Sequence, residues 1–224
     1  MDSMMFYGIW NYKDNRKSTP KKIAVTDSWR RQQPLAIALL LHMGVIQMRA
    51  VDAAADDLAG RLCMDQDAFA DYGIERITMV SGDTDWWQAI SERVDWFTPI
   101  TDKTMSLDLL RTDAAKDGPF ESPDEYLLAK SVAGDSSDNI PGVPGVGIAT
   151  AVKLLRLHGG LAGIRRAVES GQAKDKKSAA ISLPTEMSRM LWIRKLFSKK
   201  PKIAIAHSLN SRCGGSFGIH SLLN

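Results

Sequence analysis

Aspartates occur in closely spaced groups that could bind divalent cations. Asp56 and Asp57 are adjacent, and Asp83 and Asp85 are separated by one residue. Each group follows a stretch that we predict to be a β-strand, and the carboxyl ends of parallel strands meet at one edge of a sheet. Carboxylates gathered there cannot all stay ionised without cations, and hard oxygen ligands favour Mg²⁺ or Mn²⁺. The spacing therefore predicts a divalent-metal site at this edge.

A purely structural role is open for both groups. Asp56 is a suitable N-cap for the helix that begins there, and Asp83-Thr84-Asp85 can form a turn with its own cap. Either pair alone favours this structural interpretation. Metal binding is favoured only when both pairs are taken together with the carboxylates further along the chain.

A glycine-rich string over residues 134–151 contains a candidate phosphate-binding turn. Gly142, Gly145 and Gly147 allow a tight hairpin whose backbone N–H groups are unshielded and which leads into a helix N-terminus. Such a hairpin contacts phosphates and carries no base-reading groups. Lys153, one turn into the helix, adds positive charge near the same phosphate. An ordinary helix–turn–helix joint is the alternative, and the full string favours phosphate binding.

The same string carries Asp135 and Asp138, three residues apart. At that spacing the two carboxylates can point together toward a metal site.

The surrounding pattern predicts an α/β fold with a mostly parallel sheet, followed by a helical part. Ser122, Pro123 and Glu125 have the form of a helix start. The strands are expected at 45–51, 74–81 and 94–97, and the helices at 35–43 (buried), 53–64, 86–92, 122–132, 148–157 and 161–169. We expect an α/β core over 1–120, a helical region over 121–205 and a loose tail over 206–224.

Composition narrows the class of protein. The chain has 224 residues, of which 44% are hydrophobic and 25% charged, so it is globular rather than disordered, collagenous or coiled-coil. The longest apolar run, over 34–48, is too short to span a bilayer, and no signal-peptide pattern opens the chain. Cys63 and Cys213 are too few for a disulfide framework or a zinc site. The expected location is the cytoplasm of a bacterium or phage-infected host, without membrane contact.

Charge is distributed unevenly although the net value is only +3. Residues 52–85 contain nine acidic and two basic residues, whereas residues 174–202 contain nine basic and two acidic ones. Either block alone is typical of a solvated face. Acidic residues at strand ends followed by a basic block fit metal ions acting on a polyanion.

Together these motifs resemble the 5′-nuclease family, which includes phage 5′→3′ exonucleases, flap endonucleases and the 5′-nuclease domain of bacterial family-A DNA polymerases. Residues 134–151 are similar to the family's helix–three-turn–helix segment, and residues 80–85 to its Ser-x-Asp-x-Asp strand end. Residues 43–60 align with the stretch ending Glu-Ala-Asp-Asp-x-x-Gly, and residues 12–16 resemble the Tyr-Lys-x-x-Arg of the arch. The motifs occur in the family's order over residues 10 to 200.

The resemblance implies roles for individual residues. Lys13 and Arg16 match basic arch residues that steady the scissile phosphate during two-metal hydrolysis. The implied first-metal ligands are Asp56 and Asp57, the second-metal ligands are Asp83, Asp85, Asp135 and Asp138, and the DNA-binding residues are Gly142, Val143, Gly145, Gly147, Thr150 and Lys153. The hairpin carbonyls often hold K⁺ in this family.

The sequence departs from the family pattern at two places. Ala54 stands where the family has a glutamate, with Asp52 as a weak substitute. The family's first strand and its metal-binding Asp have no counterpart, so we expect a member that lacks this part or receives it from a separate chain.

The sequence therefore predicts a two-metal nuclease that acts on DNA with 5′ ends, flaps or nicks. A catalytically degenerate DNA-binding relative is the alternative. A nuclease that removes RNA primers from RNA–DNA hybrids is a third interpretation.

Overall fold

The structure, a computed structural model, describes residues 19–50, 55–64, 73–112, 119–173, 176–181, 203–206 and 219–220. The described residues form two compact units, one within 62–196 and the other within 16–61 and 197–224. These units do not follow the expected boundaries after residues 120 and 205.

Helices and short strands alternate along the described chain. The helices are α1 (Pro20–His42), α2 (Ala55–Met64), a 3₁₀ helix (Thr84–Ala89), α3 (Leu107–Thr112), α4 (Pro123–Ala133), α5 (Ile148–His158), α6 (Leu161–Glu169) and α7 (Lys176–Ile181). The strands are β1 (Gln47–Ala50), β2 (Ile77–Val80), β3 (Val94–Thr98), β4 (Lys103–Met105), β5 (Gly134–Asp135), β6 (Ile140–Pro141), β7 (Ile203–Ala206) and β8 (Ile219–His220).

The predicted α/β class is confirmed. β2 and β3 pair in parallel, with Ile77 opposite Val94 and Val80 opposite Phe97. The other described pairings, β3 with β4, β1 with β7, β7 with β8 and β5 with β6, are antiparallel. The sheet expected to be mostly parallel is therefore mixed where the structure describes it. Residues 206–224 were expected to be a loose tail, but β8 lies within them and pairs with β7.

The core of the first unit lies between β3 and the helices that follow it. Val94, Leu110, Phe120, Val132 and Ile164 are fully buried there. β3 has the alternation of a strand with one buried face, since its first, third and fifth residues are buried. This core supports the turn after β2 and the end of α4, where the candidate carboxylates lie.

Local capping signals account for the helix ends in this unit. The Ser122 hydroxyl accepts a hydrogen bond from the Glu125 amide at 3.1 Å, and Pro123 occupies the first turn of α4. Helix α5 ends at Gly159, which adopts a left-handed conformation with φ 68°. The helices predicted from residues 122, 148 and 161 are thus confirmed.

The helix predicted over residues 35–43 exists, as part of α1, but the prediction that it is buried is wrong. Helix α1 contains no buried residue, and Leu35 and Leu39 are 74% and 59% exposed. An apolar run in the sequence can indicate a helix, but it does not show which other part of the chain covers the apolar side chains. No described element buries those of residues 35–43. None of the described helices combines the length and apolarity that crossing a membrane would need.

Arg156 connects the start of α4 to α5. Its guanidinium donates two hydrogen bonds of 2.7 Å to the Glu125 carboxylate, and a third to the Pro119 carbonyl at 3.1 Å. Burial tends to raise the pKa of Glu125, but hydrogen bonds from Arg156 and from the Glu121 amide, with the charge of Arg156, hold that pKa below its ordinary value. The paired hydrogen bonds from Arg156 therefore stabilise the ionised form of the Glu125 carboxylate.

We expect Arg156→Ala to lower the free energy of unfolding by about 1 to 2 kcal/mol at pH 7, measured by urea denaturation. A carboxylate whose pKa is lower in the folded chain contributes stability above its unfolded pKa and loses that contribution as pH falls through its folded pKa. The difference between Arg156→Ala and wild type should therefore shrink below the ordinary glutamate value of 4.5.

Arg165→Ala is the matched control. Arg165 pairs with Glu169 on the surface of α6, and both side chains are at least half exposed. This variant should change stability by less than about 0.5 kcal/mol. Equal losses of stability in the two variants, or a loss for Arg156→Ala that is independent of pH, would contradict the stabilising role of the Arg156–Glu125 pair.

Candidate functional site

The turn after β2 presents two of the predicted carboxylates. Asp83 caps the 3₁₀ helix, because its Oδ1 accepts the Asp85 amide at 2.9 Å. The Asp83 amide in turn donates to the Ser81 hydroxyl at 3.1 Å. The structural alternative, a turn with its own cap, thus holds for Asp83, whereas the Asp85 carboxylate is turned toward α4.

Asp85 and Asp135 converge on one positive charge. The Lys130 ammonium, near the end of α4, forms ion pairs with the Asp85 carboxylate and, at 3.1 Å, with Oδ2 of Asp135. All three side chains are largely buried, with 12% of Lys130, 28% of Asp85 and 14% of Asp135 exposed. The two carboxylates come from a turn and a hairpin far apart in the chain, and both face the Lys130 ammonium.

Asp135 is ionised and held in place by its neighbours. Burial tends to raise its pKa, but hydrogen bonds from Ser137 and the nearby Lys130 charge outweigh this effect and lower that pKa. The Ser137 hydroxyl and amide donate to Oδ1 at 2.6 and 2.8 Å, so the other oxygen remains directed at Lys130. A fixed, ionised oxygen of this kind is suited to a hard divalent cation.

The predicted ligands are not all gathered in the described part of the chain. There, no three His, Cys, Asp or Glu side chains lie close enough together to hold a metal ion. Asp83 is exposed at the cap, and Asp138 is half-buried in the turn between β5 and β6. Asp85 and Asp135 are the pair that faces a common positive charge, the Lys130 ammonium. Their carboxylate oxygens are donors of the type that a divalent ion such as Mg²⁺ prefers.

Asp56 and Asp57, the proposed ligands of the other ion, both lie in the first turn of α2. Asp56 is exposed, whereas Asp57 is buried. Cys63 lies at the other end of this helix, where burial raises the pKa of its thiol to about 11. The thiol is therefore protonated at neutral pH and is neither a nucleophile nor a thiolate ligand.

The glycines of the hairpin have two different roles. A Cβ on Gly142 would lie 1.9 Å from the Ala133 carbonyl oxygen, so this glycine lets two backbone segments cross. A Cβ on Gly145 or Gly147 would meet nothing within 4 Å, so the backbone there faces open space. Val143 is buried, and its amide donates to the Val132 carbonyl at 2.8 Å. Gly145 and Gly147 thus offer the accessible backbone of the hairpin.

Helix α5 begins at this hairpin with an exposed positive end. Gly147 is its N-cap, no side chain caps it, and its first turn contains no acidic residue. The first amides of an α-helix have no partners within the helix, and the macrodipole places positive charge at this end. Thr150 is half-buried and Lys153 is exposed, both within the first two turns. The arrangement can accept an anion.

Several sequence predictions fall outside the described residues, namely Lys13, Arg16 and the substitution site Ala54. The adjacent tryptophans Trp86 and Trp87 are buried. Sequence reasoning missed Lys130, Tyr126 and Trp96, which contact the candidate carboxylates or their turn. For Lys130, its place five residues before Asp135 in a capped helix was an available signal.

Comparison with known proteins finds relatives among 5'-3' exonucleases and DNA polymerases. Residues 121–213 match the family described as "5'-3' exonuclease, C-terminal SAM fold". DNA polymerase I of Streptococcus pneumoniae R6 is 33% identical over 173 residues, covering 77% of this chain and 18% of the polymerase. The 5'-3' exonuclease of Buchnera aphidicola subsp. Schizaphis graminum is 30% identical over 175 residues, covering 77% of this chain and 56% of the relative. The chain thus spans only part of each relative.

Solved structures share the fold. A T5 5'-exonuclease with bound zinc ions has a TM-score of 0.66 at 18% identity, covering 85% of this chain and 69% of that chain. A T5 D15 flap endonuclease variant in complex with DNA and metal ions has a TM-score of 0.67 at 18% identity, covering 85% and 68%. These structures show the fold, and together the family model and the curated relatives confirm the resemblance to 5′-nucleases found in the sequence.

Proposed function

We propose that this relative of the 5′-nuclease family is a structure-specific DNA nuclease. It acts on 5′ ends, flaps or nicks, without sequence preference, using divalent cations. The observation that carries the proposal is the convergence of the Asp85 and Asp135 carboxylates on the Lys130 ammonium beside the hairpin. Relatives that are 5'-3' exonucleases, and T5 structures that contain metal ions or DNA, support it.

The proposed ligands divide between two ions, Mg²⁺ or Mn²⁺. Bound divalent cations would lower the pKa of the attacking water and stabilise charge on the phosphate and the leaving oxygen. Lys13 and Arg16 steady the scissile phosphate by charge. Asp56 and Asp57 hold the first ion, and Asp83, Asp85, Asp135 and Asp138 hold the second.

The hairpin and the start of α5 bind duplex DNA. The backbone at Gly145 and Gly147 approaches phosphates because no side chain shields it, and Lys153 adds charge. These groups recognise the sugar–phosphate backbone, which all sequences share. The carbonyls of the same hairpin are the proposed ligands of K⁺.

We expect Gly147→Val to weaken binding to nicked or flap duplexes about tenfold, and equally for unrelated sequences. Gly147 has φ −86° and ψ 173°, an extended conformation that valine adopts without strain, and its Cβ would point into open space. The side chain would therefore keep phosphates from the helix N-terminus while the fold remains intact. Fluorescence anisotropy in Ca²⁺ measures the affinity.

The matched control is Ala149→Val, a second β-branched side chain at an exposed position in the first turn of α5. A Cβ at this position projects outward from the side of the helix and does not cover the free amides at its end, so affinity should fall less than about threefold. Unchanged affinity for Gly147→Val, or a change for one DNA sequence only, would refute the phosphate-binding role.

A DNA-binding relative without cleavage is the second candidate. Ala54 supplies no carboxylate where the family has glutamate, and Lys130 already forms ion pairs with both Asp85 and Asp135. Incubating the chain with a labelled 5′-flap duplex in Mg²⁺ separates the candidates, since tight binding without product favours this one. An RNA strand paired with DNA offers similar phosphates, and a hybrid substrate in the same assay tests primer removal.

A further inference from the structure

Three consecutive carbonyls of the turn after β2 accept hydrogen bonds from side chains. Trp96 Nε1 donates to the Asp83 carbonyl at 3.0 Å, and the Tyr126 hydroxyl donates to the Thr84 carbonyl at 2.9 Å. Gln88 Nε2 donates to the Asp85 carbonyl at 2.8 Å. The donors come from β3, α4 and the 3₁₀ helix, so the backbone of this turn is fixed from three directions.

The two aromatic donors cannot easily move. Trp96 is 4% exposed and Tyr126 is 3% exposed. The Trp87 ring lies between them, with ring centroids 5.8 Å from Trp96 and 5.4 Å from Tyr126, and Phe120 packs on Tyr126 at 5.2 Å. Both donors are therefore buried in an aromatic cluster, where water does not compete for their hydrogen bonds to the turn.

Tyr126 also relates the turn to the second carboxylate. Tyr126 and Lys130 are four residues apart on α4 and therefore lie on one face of the helix. Tyr126 holds the Thr84 carbonyl, while Lys130 pairs with Asp85 and Asp135. Since α4 leads directly into β5, which contains Asp135, the Tyr126 contact sets the separation of the two carboxylates.

We propose that Tyr126 and Trp96 are positioning residues that hold the turn after β2 so that Asp85 and Asp135 face one divalent ion. The proposal rests on the proposed function. Neither side chain touches the ion or the DNA. Their hydrogen bonds keep the Asp83 and Thr84 carbonyls occupied, so that these oxygens do not turn and displace the carboxylates. A site loosened by about 1 Å binds and reacts far less well.

The test measures Mn²⁺ binding to the full 224-residue chain, from the electron paramagnetic resonance signal of the free ion. Tyr126→Phe removes only the hydroxyl, and Trp96→Phe removes the indole N–H with part of the ring. We expect the dissociation constant for Mn²⁺ to rise about five- to tenfold in each variant, as the loss of one hydrogen bond implies. Amide hydrogen exchange at Asp85 should become faster.

Trp87→Phe is the matched control. Trp87 is buried in the same cluster, yet within the described part of the chain its Nε1 has no hydrogen-bond partner. This variant alters the packing without removing a bond to the turn, so its Mn²⁺ affinity should stay within twofold of wild type. Thermal unfolding in EDTA compares the stability of the three variants.

The outcomes separate the two proposals. Saturable Mn²⁺ binding by wild type with unchanged affinity in Tyr126→Phe overturns the positioning role and leaves the ion site intact. Equal loss of affinity in Trp87→Phe and Trp96→Phe also overturns it, because packing alone would then explain the effect. The absence of saturable Mn²⁺ binding by wild type overturns the proposed ion site and the positioning role with it.

Discussion

Asp135→Asn is expected to lower Mg²⁺-dependent cleavage of a 5′-flap duplex by at least about a hundredfold, because it removes a charged oxygen from the proposed ion site. Binding to the same duplex in Ca²⁺ should be unchanged or tighter, since the substitution removes negative charge that faces a polyanion. Single-turnover cleavage and fluorescence anisotropy measure the two quantities. Asp138→Asn should have the same pattern.

Asp124→Asn provides the control for this prediction. Asp124 is an exposed carboxylate in the first turn of α4, at the end of the helix opposite Asp135. Its loss should leave both cleavage and binding within about twofold of wild type. A variant at Asp135 that lost DNA affinity but retained cleavage would show that this carboxylate serves the DNA rather than the ion.

The second large effect is expected at Lys130. Lys130→Met removes the ammonium between Asp85 and Asp135, and two largely buried carboxylates then face each other without a counter-ion. We expect the free energy of unfolding in EDTA to fall by about 2 kcal/mol, which lowers the melting temperature by about 4 to 8 °C. Millimolar Mn²⁺ should restore most of this loss, and the variant should bind Mn²⁺ more tightly than wild type.

Lys176→Met is the control, because Lys176 is exposed at the start of α7. Its melting temperature should match wild type in both EDTA and Mn²⁺. A melting temperature of Lys130→Met that is lowered equally in EDTA and in Mn²⁺ would mean that the ammonium packs the fold and does not stand where a divalent ion binds.

Local signals in the sequence were sufficient for the helix ends. The cap at Ser122 and the helix end at Gly159 depend on residues within one turn, so these helix ends can be predicted without knowledge of the fold. The convergence of Asp85 and Asp135 was predictable only in part. The strand-end argument covered Asp85, which follows a strand of the parallel pair. Asp135 was expected near a metal only from its spacing to Asp138, and it lies in the antiparallel pair of β5 and β6.

Contacts between distant elements were not predictable in the same way. Tyr126 reads as an apolar residue of a helix, and only tertiary packing brings its hydroxyl to the Thr84 carbonyl. The burial expected for residues 35–43 failed for a related reason, since burial depends on a partner surface elsewhere in the chain. The two roles of the hairpin glycines likewise follow from what lies opposite each Cβ, which spacing does not reveal.

The crossing at Gly142 has a consequence for the length of products. Gly142 packs on Ala133 and the Val143 amide is bonded to Val132, so the hairpin between Asp135 and Gly147 is joined firmly to the end of α4. A duplex whose phosphate rests at Gly147 would therefore present its backbone to the carboxylates at a constant separation. Under the proposed function, cleavage then occurs at a fixed number of nucleotides from the phosphate bound at Gly147, whatever the bases are.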